Sequence, residues 1–330
     1  LLQAGGEIRL TDTAANSQTI NANLQFPTGN SSISFRNDNP GQTLTFNKVI
    51  GFTTAGATKS LYLNGTGPIT VQGDLDRDQS GLNVYDNSTN ALTLNGNTRL
   101  TQLFLDGTNA VVNLGSGTTL TFANAGGANL VASQDAAING PGKIVLSASG
   151  SDNANNAAAT GKTLTINAQL TGAAGFEYYH TSYYGTLVLN GLNDYTGDTF
   201  LNAPGTLQCA TIGNRGVAGG LGAGTNLILN AVGCRLRYTG AGETTDRAIA
   251  VWHSGVIEHA GSGPLVFTAP TLSPSVGIMT LTVRNGTAGS GEFRAPVRND
   301  AATISLTKEG DGTWSLSASN TFSGTLSVIG

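Results

Sequence analysis

The chain has 330 residues, 46 of them glycine, and only 11% charged residues where about 25% is usual for soluble globular proteins. Its 16 basic and 20 acidic residues are scattered and sum to a formal charge of −4, so neither nucleic acid nor an anionic membrane is an expected partner. No run of about 18 apolar residues exists, which excludes a membrane-spanning helix, and 39% hydrophobic residues spread along the chain exclude disorder.

Abundant Gly, Asn, Thr and Ser disfavour helix and supply tight turns, while short alternating apolar pairs recur from end to end. In chain order these are Ile33 and Phe35, Leu61 and Leu63, Leu92 and Leu94, Leu120 and Phe122, Leu164 and Ile166, Leu187 and Leu189, Leu227 and Leu229, Leu281 and Val283, Ile304 and Leu306. Each reads as a half-buried strand. Leu63, Asn64, Gly65 and its copies at Leu94 to Gly96 and Leu189 to Gly191 supply residues that tolerate the positive φ of a sharp corner. Asn139, Gly140, Gly142, Ile144 and Leu146 repeat Asn64, Gly65, Gly67, Ile69 and Val71 at a distance of 75. Gly312, Leu316, Asn320, Phe322 and Gly324 repeat Gly185, Leu189, Asn193, Tyr195 and Gly197 at a distance of 127. Such spacings near multiples of roughly 25 predict a stack of about 13 coils, on the order of 60 Å long, in one all-β solenoid domain over residues 1–330. A β-sandwich would not keep its turn residues at one spacing.

Four groups of residues are candidate sites. Asp74, Asp76 and Asp78 alternate, with Arg77 among them, as hard oxygen ligands for calcium or as a solvated turn. An EF-hand-type loop would want Gly at Gln79 and Glu at Tyr85, so the match is partial and no cofactor is expected. Tyr178, Tyr179, Tyr183 and Tyr184 cluster in a chain with few aromatics, as a subunit contact, a glycan-binding patch, or a loop stapled by its own rings. Cys209 and Cys234 are separated by the inferred coil length, which predicts a disulfide between adjacent coils; two buried thiols are the alternative. His180, His253 and His259 lack evident carboxylate partners, so no catalytic residues are assigned.

The segment Gly185 to Gly197, reading GTLVLNGLNDYTG, and its second copy Lys308 to Gly324 resemble the passenger-associated transport repeat of bacterial autotransporters. The resemblance implies a right-handed parallel β-helix exported to the bacterial surface, where relatives act as adhesins or structural stalks. The second copy stops at Ser327, Val328, Ile329 and Gly330 where the first runs on, and Leu1, Leu2 and Gln3 supply the missing continuation. Either the chain is one section of a longer protein, or subunits join head to tail. The expected function is a non-enzymatic, extracellular structural subunit of a surface filament. An adhesin passenger binding host or glycan surfaces is the first alternative, and a β-helix polysaccharide lyase or hydrolase the second.

Overall fold

The computed structural model describes residues 4–26, 29–48, 50–51, 58–75, 81–122, 128–146, 154–272 and 276–330. It is an all-β parallel solenoid with about 25 residues per turn, and no helix occurs among the described residues. The chain divides into two compact units, Leu1–Leu170 and Thr171–Gly330.

In the first unit three faces alternate along the chain. The first face stacks Glu7–Leu10, Ser31–Asn37, Lys59–Gly65, Leu82–Asp86, Gln102–Leu105, Ala128–Ala132 and Ala154–Ala158. The second stacks Gln18–Ile20, Leu44–Phe46, Ile69–Val71, Leu92–Leu94, Ala110–Leu114, Ala136–Asn139 and Thr163–Ile166. The third includes Thr98–Leu100, Thr119–Phe122 and Lys143–Leu146. In the second unit the first face runs Phe176–Tyr178, Thr199–Leu201, Asn226–Leu229, Ala248–Val251 and Thr271–Leu272. Its second face runs Thr186–Leu189, Thr206–Cys209, Cys234–Tyr238, Gly255–His259, Gly277–Asn285, Ala302–Glu309 and Leu326–Ile329. Its third face runs Glu243–Thr245, Pro264–Phe267, Ser290–Phe293 and Thr313–Leu316.

Period-two alternation puts one apolar residue in two inside, and parallel register stacks these into continuous columns. Ile33, Leu61, Val84, Leu103 and Leu130 form one such column and are all buried. Each contributes about 1.5–3 kcal/mol by burial, which no single coil achieves without its neighbours.

Coil length is not constant. Leu92 faces Val112, whereas Leu207 faces Leu236, a coil nearly half as long again. The second face carries seven strands in each unit, 14 in all, so the described residues make slightly more turns than the expected number of about 13, and inserts such as 210–225 lengthen a coil without adding one. The repeat at a distance of 75 likewise compares two different corners. Asn64 leads from the first face to Ile69–Val71 on the second, while Asn139 leads from the second face to Lys143–Leu146 on the third. Three coils above Leu63 stands Ala132, and not the Ile138 that precedes Asn139. What recurs is corner chemistry, whichever faces the corner joins.

Buried polar side chains close these corners. Asn37 Nδ2 donates to Gln42 O at 2.7 Å and Pro68 O at 2.8 Å, while Oδ1 accepts from Asn39 N at 3.0 Å. A Cβ on Gly67 would lie 2.4 Å from Asn37 Nδ2, so only glycine passes there. Tyr238, His259 and Asn285, in register on the second unit's second face, do the same work with three chemistries. The Tyr238 hydroxyl accepts from Gly242 N at 3.0 Å. His259 Nδ1 accepts from Gly261 N at 3.1 Å with Nε2 2.6 Å from Gly263 O, and Asn285 Nδ2 donates to Gly289 O at 2.8 Å.

Asp86 is the acidic member of this class. Its Oδ1 accepts from the Ser88 hydroxyl at 2.5 Å and Ser88 N at 3.1 Å, but buried Oδ2 has no hydrogen-bond partner. Burial pushes its pKa up to about 7, against the Ser88 hydrogen bonds and with a smaller contribution from Asp106. The unfolded chain releases this proton near pH 4 and the folded chain near 7, so stability is full below pH 4 and declines as the pH rises to about 7. We predict a loss of a few kcal/mol over that window in urea unfolding titrations. Asp86→Asn, which keeps the shape, flattens that component of the profile; an unchanged pH slope in the variant would contradict the assignment.

Candidate binding surface

The fold splits the tyrosine cluster. In Phe176–Tyr178 the alternation points Phe176 and Tyr178 inward, so Tyr178 is a core residue and not part of a binding patch. Its hydroxyl donates to Gly185 O at 2.8 Å, and burial drives its pKa well above the usual range. Beyond it the loop folds on itself. His180 Nδ1 accepts from Ser182 N at 3.1 Å and Tyr183 N at 3.2 Å, and the imidazole stacks on Tyr183 at 4.4 Å. Partial burial lowers the His180 pKa. The Tyr184 hydroxyl donates to Thr181 O. Tyr179 and Tyr184 remain 38% and 36% exposed.

That loop is one of a stack. In the second unit, register on both faces places the turns 179–185, 202–205, 230–233 and 252–254 on the same edge, each crossing from the first face to the second. Their backbones continue the ladder: Asn202 N donates to Tyr178 O, Asn230 N to Leu201 O and Trp252 N to Leu229 O, each at 2.9 Å. The exposed tips are Tyr179, Tyr184, Pro204, Val232 at 71% and Trp252 at 39%. None of the four turns contains Asp, Glu, Lys or Arg. Polar groups between the tips are neutral amides and hydroxyls with two histidines, and His253 Nδ1 lies 3.0 Å from Asn230 Oδ1. Nothing in the sequence joins these turns, because most of a coil separates each from the next.

Two outward rows on other faces pair along their own length. Arg237, Glu258, Arg284 and Glu309 alternate in sign across four strands of the second unit, with Arg237 Nε 3.8 Å from Glu258 Oε1 and Arg284 paired to Glu309. In the first unit Tyr62, Tyr85 and Phe104 stack at 4.9 and 4.7 Å with interplanar angles of 17° and 5°. Their ring faces cover one another and leave mainly edges to solvent.

The other predicted sites fare differently. Cys209 faces Tyr238 and Cys234 faces Gly255, both thiols being free and buried. The predicted disulfide is corrected: this coil is longer than the average one, which sets Cys234 four positions, about 13 Å, along the strand from the point opposite Cys209. Asp74 Oδ1 accepts from Asn97 N at 2.9 Å, while Asp76 and Asp78 lie outside the described residues. No cluster of three metal-ligating side chains occurs among the described residues. Leu1, Leu2 and Gln3 also lie outside them. Ser327, Val328 and Ile329 belong to Leu326–Ile329, paired along one edge to Ala302–Glu309, with Gly330 exposed after them.

One buried group went unsuspected. Arg247 is fully buried in the second unit and donates to Leu221 O at 3.0 Å and Gly222 O at 2.8 Å, with Gly213 O 3.5 Å from its Nε, so one guanidinium gathers three carbonyls of the 210–225 insert. Burial lowers its pKa, against the attraction of Tyr195 and Asp198.

Comparison with known proteins fits this geometry. The passenger-associated-transport-repeat family profile matches residues 184–208 and 306–330. The chain carries two passenger-associated-transport-repeats. The first repeat places its leading strand, Thr186–Leu189, on the second face, and the second repeat places Thr313–Leu316 on the third. Asn193 Nδ2 donates to Gly220 O at 2.7 Å and Asn320 Oδ1 accepts from Val297 N at 2.8 Å, so both copies fix a corner with asparagine. The chain is also 34% identical over 177 residues to the Adhesin BmaC autotransporter of Brucella suis biovar 1, covering 48% of this chain and 5% of that relative. It thus spans a small part of the relative's length. No solved structure matches significantly. Fold, repeats and relative together define an autotransporter-passenger-like β-solenoid.

Burial drives the Cys209 pKa far upward and pushes that of Cys234 up to about 11, so both thiols are protonated at neutral pH. A thiol-reactive chromogen is expected to find no reactive group in the native chain and two after denaturation without reductant. Fewer than two would restore the disulfide.

Proposed function

We propose that this chain is a section of a non-enzymatic adhesive passenger carried at the bacterial surface, where the solenoid presents a contact edge to a host or glycan surface. The observation that carries the reading is the 34% identity to an autotransporter adhesin across a segment of solenoid repeats. A parallel stack suits the task mechanically, since every coil bonds to the next and load along the axis is shared over three ladders. Latex beads coated with the purified chain are expected to adhere to cultured mammalian cells several-fold better than albumin-coated beads. Equal adhesion of the two would sink the reading.

A second reading, head-to-tail assembly, is favoured by one observation. Leu326 and Val328 are largely exposed, and with Val283, Phe293, Trp314 and Leu316 they border an apolar cleft of about 580 Å³. A further coil, from a longer chain or from a second copy, would cover it. If copies stack, sedimentation velocity over a concentration series yields growing species, and Val328→Asp returns them to monomer. A single monomeric species at every concentration would leave only the adhesive section.

A further inference from the structure

The adhesive reading leaves open what is bound and where, and the neutral edge of the second unit bears on both. The four turns 179–185, 202–205, 230–233 and 252–254 stand one above another, and Tyr179 and Trp252 lie three strand steps, about 14 Å, apart along the stack. Between them come Pro204 and Val232, flanked by Asn202, Asn230, Thr181, Ser182 and His253. The edge thus alternates apolar tips with neutral hydrogen-bonding groups at a repeat fixed by the backbone.

Three properties identify the occupant. First, the edge holds no Asp, Glu, Lys or Arg, although the adjoining second face carries the Arg237, Glu258, Arg284 and Glu309 ladder, so an acidic or basic polymer finds no carboxylate, ammonium or guanidinium to pair with there. Second, the edge is narrow, three to seven residues per turn and 18 in all, fewer than the roughly 20–30 residues a side of a stable protein interface. Third, it offers exposed aromatic rings beside amides and hydroxyls. A sugar ring presents an apolar face of C–H groups and a rim of uncharged hydroxyls, which rings and amides satisfy together. Resting on the adhesive reading, we propose that this edge is a binding site for a neutral polysaccharide chain lying along the coil stack, with Tyr179, Tyr184 and Trp252 as its anchors.

The test is affinity electrophoresis of the intact chain through gels containing dextran, galactomannan or xyloglucan, with polygalacturonate as the anionic counterpart. At least one neutral polymer is expected to retard the chain more than polygalacturonate does. The Tyr179→Ala, Trp252→Ala double variant is expected to lose at least tenfold in association constant at unchanged Tm, and Tyr62→Ala, in the stacked row of the first unit, to bind as the parent. The proposal is overturned if no neutral polymer retards the chain, if polygalacturonate is preferred, or if the double variant binds equally well. It is also overturned if the double variant instead dissolves an oligomer in sedimentation, which marks a contact between copies, or abolishes flotation with phosphatidylcholine vesicles, which marks a lipid surface. Coated beads separate the two readings. Double-variant beads that adhere as well as the parent remove the edge and keep adhesion, whereas parent beads that fail to adhere remove adhesion while the gel result stands by itself.

Discussion

Everything in this molecule depends on returning the chain to register after each corner without stranding backbone polar groups. A parallel stack has no hairpins, so every coil must bend at its corners inside a column of neighbours, where water does not reach the inner N–H and C=O groups. Asn37, Asp86, Tyr238, His259 and Asn285 meet that demand from within, each turning a buried polar side chain onto the turn that follows. The geometry of the demand is constant and the chemistry that answers it is not. That freedom explains why an acid whose charged form is costly survives at one corner while an amide serves at another.

The same stacking decides which surfaces remain available. Outward side chains one coil apart sit about 4.8 Å from their counterparts and bond to each other before they bond to anything else. Asn167 donates to Asn139 Oδ1 at 2.6 Å, Asn47 to Asn21 Oδ1 at 2.8 Å and Asn87 to Asn64 Oδ1 at 3.1 Å. Rings stack on rings and arginines alternate with glutamates. Such ladders stiffen the faces and saturate them. On the edge of the second unit His253 still meets Asn230, but the apolar tips Val232 and Trp252 stay exposed, so contact with a partner falls to the edges.

The strands were legible because alternation is local: Ile33 and Phe35, or Leu187 and Leu189, reveal their inward direction within a single strand. Corner chemistry was legible for the same reason, and both transport repeats are visible as strand, corner and strand. Register was not. It depends on the length of each coil, which is far greater from Leu207 to Leu236 than from Leu92 to Val112, and the sequence carries no mark of where one coil ends. A uniform spacing therefore paired Cys209 with Cys234, although Cys209 faces Tyr238. Tyr178 was grouped with its neighbours in sequence, whereas strand alternation takes it inward. The neutral edge was invisible for the opposite reason, since its members are neighbours only after the coils are stacked.

The longest of these coils shows how the fold tolerates such variation. Between Thr206–Cys209 and Asn226–Leu229 the chain leaves the stack, and Gly219 forms an antiparallel bridge with Asn193 before the chain rejoins the first face. An excursion of this kind strands carbonyls that no ladder satisfies. Arg247, from the next coil, donates to those of Leu221 and Gly222, while Thr245 Oγ1 donates to Gly213 O at 2.7 Å and Glu243 accepts from Ile212 N at 2.6 Å. A buried guanidinium is costly to desolvate, and it is retained where several carbonyls converge on it. The insert is thereby held by the coil that follows it, so the register lost in sequence is recovered in space. Extra residues can accumulate at a corner provided a neighbouring coil supplies the donors, which is how a repeating scaffold acquires non-repeating surfaces.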